Sequence, residues 1–203
     1  MTTLLSLGKE ENMKGTNVAL VPLSLEHVSD FLRYSSDPTL WTWWRRQPPV
    51  DAATMRNEVE AALAQQKSGR RLPFSIFHLA RKECIGSTSL LHIDTMNRSV
   101  EIGSTWLASA FHKSGINREC KDLLLTYAFT KLGMNRVAMQ TDELNLRSRR
   151  AIEMLGAKLD GILREDKITW NGRRRSSAVY SILKSEWTPN QAPEPTRFAR
   201  GLA

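Results

Sequence analysis

The sequence predicts an α/β protein of the α+β kind, with a mixed and largely antiparallel sheet flanked by helices. Strand-like segments follow one another through residues 73–108 with only short turns between them, which is typical of an antiparallel meander. Two later segments, 157–170 and 176–187, are joined by the turn NGRR, in which the pair Asn171-Gly172 is a strong signal for a hairpin. Segments with helical spacing of apolar residues separate these groups, so we expect about seven strands with helices packed on them.

The first part of the chain is expected to form a strand at residues 17–23 and then two helices. Ser24 and Asp51 can cap these helices, because a side-chain oxygen before the first turn accepts a hydrogen bond from a free backbone N–H group. The loop between the helices contains three prolines, and three tryptophans within four residues. In the meander, the segment KECIG is expected to be the first turn, and the expected strands are 73–81, 87–94 and 99–108.

The second part of the chain alternates helices and strands. A long helix is predicted at Ile116–Leu132, and Gly133 ends it because glycine readily adopts the left-handed conformation found after a helix. A strand at 135–142 and a helix at Asn145–Leu155 follow before the final hairpin.

At 203 residues the chain is long enough for one well-buried domain, which we assign to residues 17–187. Residues 1–16 are expected to be an N-terminal extension. Residues 188–203 are expected to form an irregular tail, because they carry three prolines and no periodicity. No apolar run approaches the ~20 residues of a membrane-spanning helix, and the N-terminus lacks the pattern of a secretory signal, so the cytoplasm is the expected compartment.

Cysteine, histidine and charge content narrow the functional classes. Two cysteines lie far apart and four histidines are scattered, so neither a disulfide framework nor a metal site is expected. The formal net charge of +8 fits an anionic partner: a nucleic acid, a membrane surface or a phosphorylated small molecule. No membrane partner is expected, and nucleic acid is the weaker expectation because the chain lacks interleaved aromatic and basic residues.

The segment FHKSGIN connects the third strand of the meander to the long helix. The start of a helix offers unpaired backbone N–H groups and the positive end of the helix dipole, and a preceding glycine lets the backbone approach an anion closely. Gly115 occupies that position, and Lys113 and Arg118 can add positive charge. On spacing alone the segment is either a plain turn or a phosphate-binding loop, and both interpretations stay open.

Three segments in fixed order, VEIGSTWLASAFHKSGIN, TDELNLRSRRAIEMLGAKLDGILRE and GRRRSSAVYSILKSEW, resemble the GNAT superfamily of acetyl-CoA-dependent N-acetyltransferases. Within it, the chain is most similar to the branch that acetylates the N-termini of ribosomal proteins. The resemblance extends from about Val18 to Trp187. It implies a GNAT-like sheet splayed in the middle, acetyl-CoA as cosubstrate, no metal, and transfer of the acetyl group to a primary amine by direct attack in a ternary complex.

In that family a turn of the form Gln/Arg-x-x-Gly-x-Gly/Ala binds the pyrophosphate of coenzyme A. Here His112 stands at the Gln/Arg position, Gly115 matches the central glycine, and Asn117 replaces the last small residue. The resemblance also implies that backbone groups of the strand end TWLA bind the pantetheine arm and that an N-x-x-S pattern opens the next helix. The residues implied in coenzyme A binding are Trp106, Leu107, Ala108, His112, Lys113, Ser114, Gly115, Ile116, Asn117, Arg118, Asn145, Ser148 and Arg149.

Two side chains are candidates for the chemistry. Glu101 alternates with Val100 and Ile102 on its strand, so it faces the other side and can reach a cleft. By resemblance it occupies an acidic position that serves as general base, although a plain strand-surface carboxylate fits the pattern too. Ser148 by resemblance lies near the sulfur and can donate to the departing thiolate. Its alternative is a first-turn serine that bonds its own backbone.

The acceptor is expected to be an amine, either a protein N-terminus or a small molecule, and a homodimer stays open. By resemblance the loop after the first helix lines the acceptor site, and the candidates for substrate contact are Trp41, Trp43, Trp44 and Asp142. The three tryptophans can equally pack over the sheet. Two other functions compete with the N-acetyltransferase: a non-catalytic acyl-CoA-binding module or sensor, and a basic nucleic-acid-binding protein.

Overall fold

The computed structural model describes residues 13–188, which form one sheet with helices on both faces. The strands are β1 Met13–Lys14, β2 Val18–Pro22, β3 Arg71–His78, β4 Glu83–Asp94, β5 Ser99–Leu107, β6 Arg136–Asp142, β7 Lys158–Ile168 and β8 Arg174–Leu183. The α-helices are α1 Val28–Ser35, α2 Ala52–Lys67, α3 Ile116–Thr126 and α4 Leu146–Glu153. The strand order is β1-β2-β3-β4-β5-β6-β8-β7, and neighbouring strands are antiparallel except for the parallel pair β5 and β6. The predicted fold class is confirmed.

The parallel pair β5–β6 opens partway along its length. Its ladder covers four residue pairs and ends at Ile102 opposite Met139. Beyond this point β5 continues to Leu107 against β4, while β6 continues to Asp142 against β8. The edges of β5 and β6 that face each other therefore carry backbone groups without ladder partners. The splay predicted for the middle of the sheet is present.

A β-bulge at Ser104 changes which side chains of β5 face each side of the sheet. Gly103 lies opposite Ser89 and Trp106 lies opposite Ser87, so β5 has one more residue than β4 over this stretch. Ser104 takes a left-handed conformation with a φ of 46°. As a result, Trp106 projects from the same face of the sheet as Gly103.

Each face of the sheet has its own hydrophobic core. α3 and α4 cover the face from which Val100 and Ile102 project. α1 and α2 cover the other face, where Trp106 packs edge-on against Phe31 of α1. Each fully buried side chain of this kind contributes about 1.5–3 kcal/mol to folding. Glu101, which alternates with Val100 and Ile102, points to the α1–α2 side.

Local capping signals set the starts of the first two helices, as predicted. The Asp51 carboxylate accepts a hydrogen bond from the Thr54 backbone N–H at 2.7 Å, and the Thr54 hydroxyl accepts from the Asp51 N–H at 3.1 Å. Ser24 caps a short 3-10 turn that leads directly into α1. These reciprocal bonds satisfy N–H groups that the helices themselves leave unpaired.

Three details differ from the sequence-based expectations. The sheet has eight strands instead of seven, because Met13 and Lys14 pair with β2. The segment KECIG is mostly strand. Cys84 pairs with Phe77 of β3, and Ile85 is the buried extra residue at a bulge in β4. The chain turns just before them, where Lys82 has a φ of 55°. The predicted long helix changes to a π-helical turn at Tyr127–Lys131 before it ends.

Most of the predicted N-terminal extension and of the predicted C-terminal tail lies outside the described residues, in 1–12 and 189–203. None of the helices within 13–188 has an apolar stretch long enough to cross a membrane.

Candidate functional site

The start of α3 presents a cluster of free backbone N–H groups. Gly115 is the N-cap residue with a φ of 89°, and Lys113 is also left-handed with a φ of 61°. A Cβ at Gly115 would meet no atom within 4 Å, so the conformation requires the glycine and crowding does not. The backbone N–H groups of Lys113, Ser114, Gly115 and Asn117 donate to no other described residue. Such a cluster at a helix N-terminus can bind a phosphate.

Side chains of the same loop hold it in place. The Ser114 hydroxyl donates to the Phe111 carbonyl at 2.7 Å and accepts from the Ile116 N–H at 3.4 Å. Ile116 is buried in the core below, which fixes the first turn of α3. Lys113 is exposed above the N–H cluster, and Asn117 is half-buried beside it. The loop is therefore anchored by its hydrophobic ends while its amides stay accessible.

His112 joins this loop to the end of β5 and to α4. Its Nε2 lies 2.8 Å from the Leu107 carbonyl oxygen, and its Nδ1 lies 3.1 Å from Nη1 of Arg147. A guanidinium can only donate, so Nδ1 accepts and Nε2–H donates to Leu107. His112 thus positions the exposed side chain of Arg147 next to the loop. Arg147 was not among the sequence candidates, although the basic run RSRR could have indicated it.

Two other predicted binding residues hold the helices to the rest of the fold. Arg118 pairs with Asp122 at 2.9 Å and donates to the Met154 carbonyl at the end of α4. Arg149 donates to the Tyr180 hydroxyl of β8 at 2.8 Å and to the Glu143 carbonyl at 3.2 Å. Both guanidinium groups are engaged within the protein in this structure.

The open edge of β5 lies beside the loop. Trp106 and Leu107 bury their side chains in the two cores, as the sequence allowed. The Ala108 N–H donates to the Ile85 carbonyl at 2.9 Å, so this amide is already bonded. The part of β5 that faces the gap without ladder partners therefore begins after Ile102 and lies before Ala108.

α4 begins just beyond the end of β6, on the other side of the gap. The Asn145 side chain caps α4 by accepting from the Ser148 N–H at 3.1 Å. The Ser148 hydroxyl, in the first turn, makes no hydrogen bond to a described residue. The hydroxyl is therefore available to a ligand. The alternative expected from the sequence, a hydrogen bond from this hydroxyl to its own helix backbone, is not formed.

Glu101 lies on the floor of the α1–α2 side of the sheet. Its side chain is 14% exposed, and burial raises its pKa, although nearby His92, Lys167 and Arg175 oppose the rise. The Gln140 side-chain amide NH2 donates to the Glu101 carboxylate at 3.3 Å, and Lys167 Nζ donates to the side-chain oxygen Oε1 of Gln140 at 2.5 Å. Sequence reasoning missed Gln140 and Lys167, because β6 and β7 reach Glu101 only through the sheet order.

The tryptophan loop and the β7–β8 turn meet above this floor. Trp41 is 2% exposed and packs on Trp106 at 5.6 Å between ring centroids, so it belongs to the core. Trp43 is half-buried, with the Arg173 guanidinium 5.7 Å from its ring centroid. Trp170 Nε1–H donates to the Trp41 carbonyl at 3.1 Å.

Trp44 and Asp142 complete this arrangement. Trp44 is half-buried and packs edge-on against Trp41, with 5.4 Å between ring centroids. Its backbone carbonyl accepts a hydrogen bond from the backbone N–H of Trp170 at 3.4 Å. Asp142 is buried and paired with Arg173. Trp43 and Trp44 are thus the predicted tryptophans that stay partly accessible.

An open depression of about 1050 Å³ lies between β1 and α3 and reaches Gly115 and Arg118 at the start of α3, and another depression lies around Gly133. Within residues 13–188 no group of three His, Cys, Asp or Glu side chains is arranged to hold a metal ion. Burial raises the pKa of both Cys84 and Cys120 to about 12, which keeps these thiols protonated.

Residues 17–158 match the family model described as acetyltransferase (GNAT) domain. YdaF of Bacillus subtilis (strain 168), named as a ribosomal N-acetyltransferase, is 39% identical over 102 residues, which cover 50% of this chain and 55% of that protein. The crystal structure of a GCN5-related N-acetyltransferase from Brucella melitensis is 30% identical with a TM-score of 0.81, covering 87% of this chain and 80% of that one. RimJ of Mycobacterium smegmatis, in complex with CoA-disulfide, shares the fold at 21% identity and a TM-score of 0.74, covering 87% and 84%. The family resemblance read from the sequence is confirmed.

Proposed function

The chain belongs to the acetyltransferase (GNAT) family, and we propose that it transfers an acetyl group from acetyl-CoA to a primary amine. One observation carries this proposal: the ladder between β5 and β6 ends at Ile102 and Met139, right beside a helix start with free N–H groups. The two features together suit a cosubstrate with an anionic nucleotide end and a thin arm. RimJ, which shares the fold, was crystallised with a form of coenzyme A, and this supports the proposal.

In the proposed complex, the free N–H groups from Lys113 to Asn117 bind the pyrophosphate, and the ammonium of Lys113 adds charge. Arg147, held by His112, contributes a second cation at the same place. His112 itself acts as a clamp, because both of its ring nitrogens are engaged. The pantetheine arm then enters the gap and pairs with backbone groups of β5, as an added strand would.

Acetyl-CoA supplies an acyl carbon joined to a thiolate leaving group. On the open edge of β5, backbone N–H groups can donate to the acetyl oxygen and stabilise negative charge that develops there. Glu101 takes the proton that the amine must lose, directly or through a water molecule. The raised pKa of its buried carboxylate favours this role, because a base is most effective when its pKa lies nearer the working pH. The C–S bond breaks as the C–N bond forms.

Ser148 is proposed to donate its hydroxyl proton in a hydrogen bond to the sulfur. Its hydroxyl has no described partner, and it lies in the first turn of α4, next to the end of β6. The partial positive charge at the start of α4 also favours a developing thiolate.

The acceptor is proposed to be a protein N-terminus or a small-molecule amine in the cytoplasm. The name of YdaF supports a ribosomal protein as one acceptor class. Trp43 and Trp44 are proposed to contact the acceptor, since both are half-buried and the Trp43 ring lies next to Arg173 of the β7–β8 turn. Asp142 is proposed to act through Arg173, whose guanidinium it holds.

A thiol-release assay tests the proposal, with acetyl-CoA offered alongside a panel of amines and peptides. We expect amine-dependent thiol release and an acetylated product that is heavier by one acetyl group. Binding of coenzyme A without release by any amine would instead support the acyl-CoA-binding module. Absence of coenzyme A binding in a thermal-shift assay would contradict both functions.

A further inference from the structure

Two buried arginines on the α1–α2 side of the sheet form no ion pair with a carboxylate within 4 Å among residues 13–188. Arg71 of β3 and Arg175 of β8 are each 8% exposed. Arg71 Nε donates to the Ser89 hydroxyl at 2.8 Å, and Nε of Arg175 is buried without any hydrogen-bond partner among residues 13–188. An unpaired buried cation is costly, because the interior does not replace its hydration. The proposed acetyl transfer uses neither guanidinium.

Both arginines lie on the same face of the sheet as Glu101. Arg71 lies opposite Leu91, which in turn lies opposite Glu101, so Arg71 is in the same row but two strands away. On the β8 side, the positive charge of Arg175 acts on the Glu101 carboxylate. Arg175 is therefore the buried guanidinium near the proposed base.

The carboxylates nearby are already matched to other cations. Glu58 pairs with Arg46 at 2.8 Å, and Asp166 pairs with Lys167 at 3.4 Å. Asp142 is bonded to Arg173, as described above. Burial lowers the pKa of Arg71 to about 10, so its side chain still carries a full charge at neutral pH. The α1–α2 side of the sheet around Glu101 therefore keeps an excess of buried positive charge.

We propose that the acceptor amine carries a carboxylate and that Arg175 binds it. This inference rests on the proposed function, since it concerns the acceptor of the same site. A planar guanidinium matches a carboxylate through two parallel hydrogen bonds, and Arg175 Nε–H is free to form one of them. The carboxylate satisfies the buried cation and places the amine next to Glu101. An amino acid and a peptide with an acidic residue at its N-terminus share this chemistry.

Matched pairs of acceptors test the proposal with the full-length protein. One pair is an amino acid and its amide, and the other is two short peptides that begin with Asp or with Asn. In thiol release, we expect kcat/KM for the acidic member of at least one pair to exceed that of its neutral partner by about tenfold or more. The pair that shows the ratio identifies the source of the carboxylate. Equal rates within both pairs would overturn the proposal and leave the acetyltransferase intact.

Variants at two adjacent residues of β8 locate the contact. Arg175→Gln is expected to lower kcat/KM for the acidic acceptor about 10- to 100-fold and to change the neutral acceptor by less than about threefold. Arg174→Gln is the control, because Arg174 is exposed and its guanidinium lies 3.0 Å from Glu165. It should leave the ratio unchanged. An equal loss on both acceptors in Arg175→Gln would refute a direct contact, and the wild-type ratio remains a test even if this variant does not fold.

Product binding separates this proposal from the proposed function. The N-acetylated acidic and neutral peptides are titrated into the protein with coenzyme A present, a measurement that needs no turnover. We expect tighter binding of the acidic product, lost in Arg175→Gln. Preferential binding without thiol release from any amine would refute the transferase and keep the carboxylate site. Equal binding of both products would refute the carboxylate site.

Discussion

Lys121, next to the bulge in β5, is a buried ammonium group whose effect on the stability of the fold can be predicted quantitatively. It lies on the buried face of α3, is 8% exposed, and donates from Nζ to the Thr105 hydroxyl at 2.6 Å. Thr105 also contacts the Thr88 hydroxyl of β4 at 2.7 Å. Burial lowers the pKa of Lys121 from 10.5 to about 8, and no carboxylate within 4 Å among the described residues offsets it. At neutral pH the protein therefore carries a buried ammonium that is mostly charged.

Lys121→Met removes the ammonium and keeps a side chain of similar length. A fall in pKa from 10.5 to about 8 corresponds to a folding penalty of about 3 kcal/mol for the charged form at pH 7. The Thr88 and Thr105 hydroxyl groups still bond each other in the variant. We therefore expect the free energy of unfolding at pH 7 to rise by up to about 3 kcal/mol.

The stability difference between Lys121→Met and the wild type should also depend on pH in a defined direction. The folded-state pKa of Lys121 lies below its unfolded value, so between pH 8 and 10.5 the folded protein binds fewer protons, and wild-type stability gains as pH rises. The advantage of Lys121→Met should shrink from about 3 kcal/mol at pH 7 to about 1 kcal/mol at pH 10.

Urea unfolding at several pH values measures this difference. Lys131→Met is the control, because Lys131 is exposed at the end of the same helical segment, and its effect should stay within about 0.5 kcal/mol at every pH. A destabilised Lys121→Met would show that Lys121 stabilises the fold in its charged form. A difference that does not change between pH 7 and 10 would show that folding does not lower the pKa of Lys121.

Three further predictions concern the proposed site. Glu101→Gln should lower kcat about 100-fold and leave coenzyme A affinity within about twofold. The wild-type pH–rate profile should show a base whose pKa lies above 4.5, because burial raises the pKa of Glu101. Glu60→Gln is the control, because Glu60 is exposed on α2, and an unchanged rate in Glu101→Gln would remove Glu101 from the chemistry. Ser148→Ala should lower kcat about tenfold in thiol release, with rescue by Ser148→Thr, which keeps the hydroxyl; no effect would leave the thiolate to solvent. Gly115→Ala should weaken coenzyme A binding about tenfold in calorimetry, because a side chain at a φ of 89° costs about 1–2 kcal/mol. Gly69→Ala is the control, since Gly69 has a φ of 72° at the end of α2, carries the same strain and should not affect binding. Equal affinities in both variants would contradict the assignment of the loop at Gly115 to coenzyme A.

Features set by short-range sequence were predictable. Asp51 caps a helix with its own first turn, and Asn171-Gly172 closes a hairpin, because both depend on residues within a few positions. The orientation of Glu101 followed from strand alternation next to two apolar neighbours. Gly115 was recognisable because a left-handed residue before a helix is most often glycine.

Features set by tertiary contacts were not predictable. The bulge has a serine at a positive φ, and Ser104 carries no local signal for it. The segment KECIG has turn-like composition, yet pairing of Cys84 with β3 and burial of Ile85 in the core outweigh that preference. Arg71 and Arg175 lie 104 positions apart in the sequence, and only the strand order brings them to the same face of one sheet as Glu101.

A crystal structure of the protein with coenzyme A bound is the most direct measurement. We expect pyrophosphate oxygens about 3 Å from the N–H groups between Lys113 and Arg118, and the pantetheine arm between β5 and β6 beyond Ile102. Coenzyme A that lies along α3 in the depression next to β1, with its pyrophosphate away from these N–H groups, would contradict the account. The same holds if direct hydrogen bonds between the two strands close the gap beside Trp106.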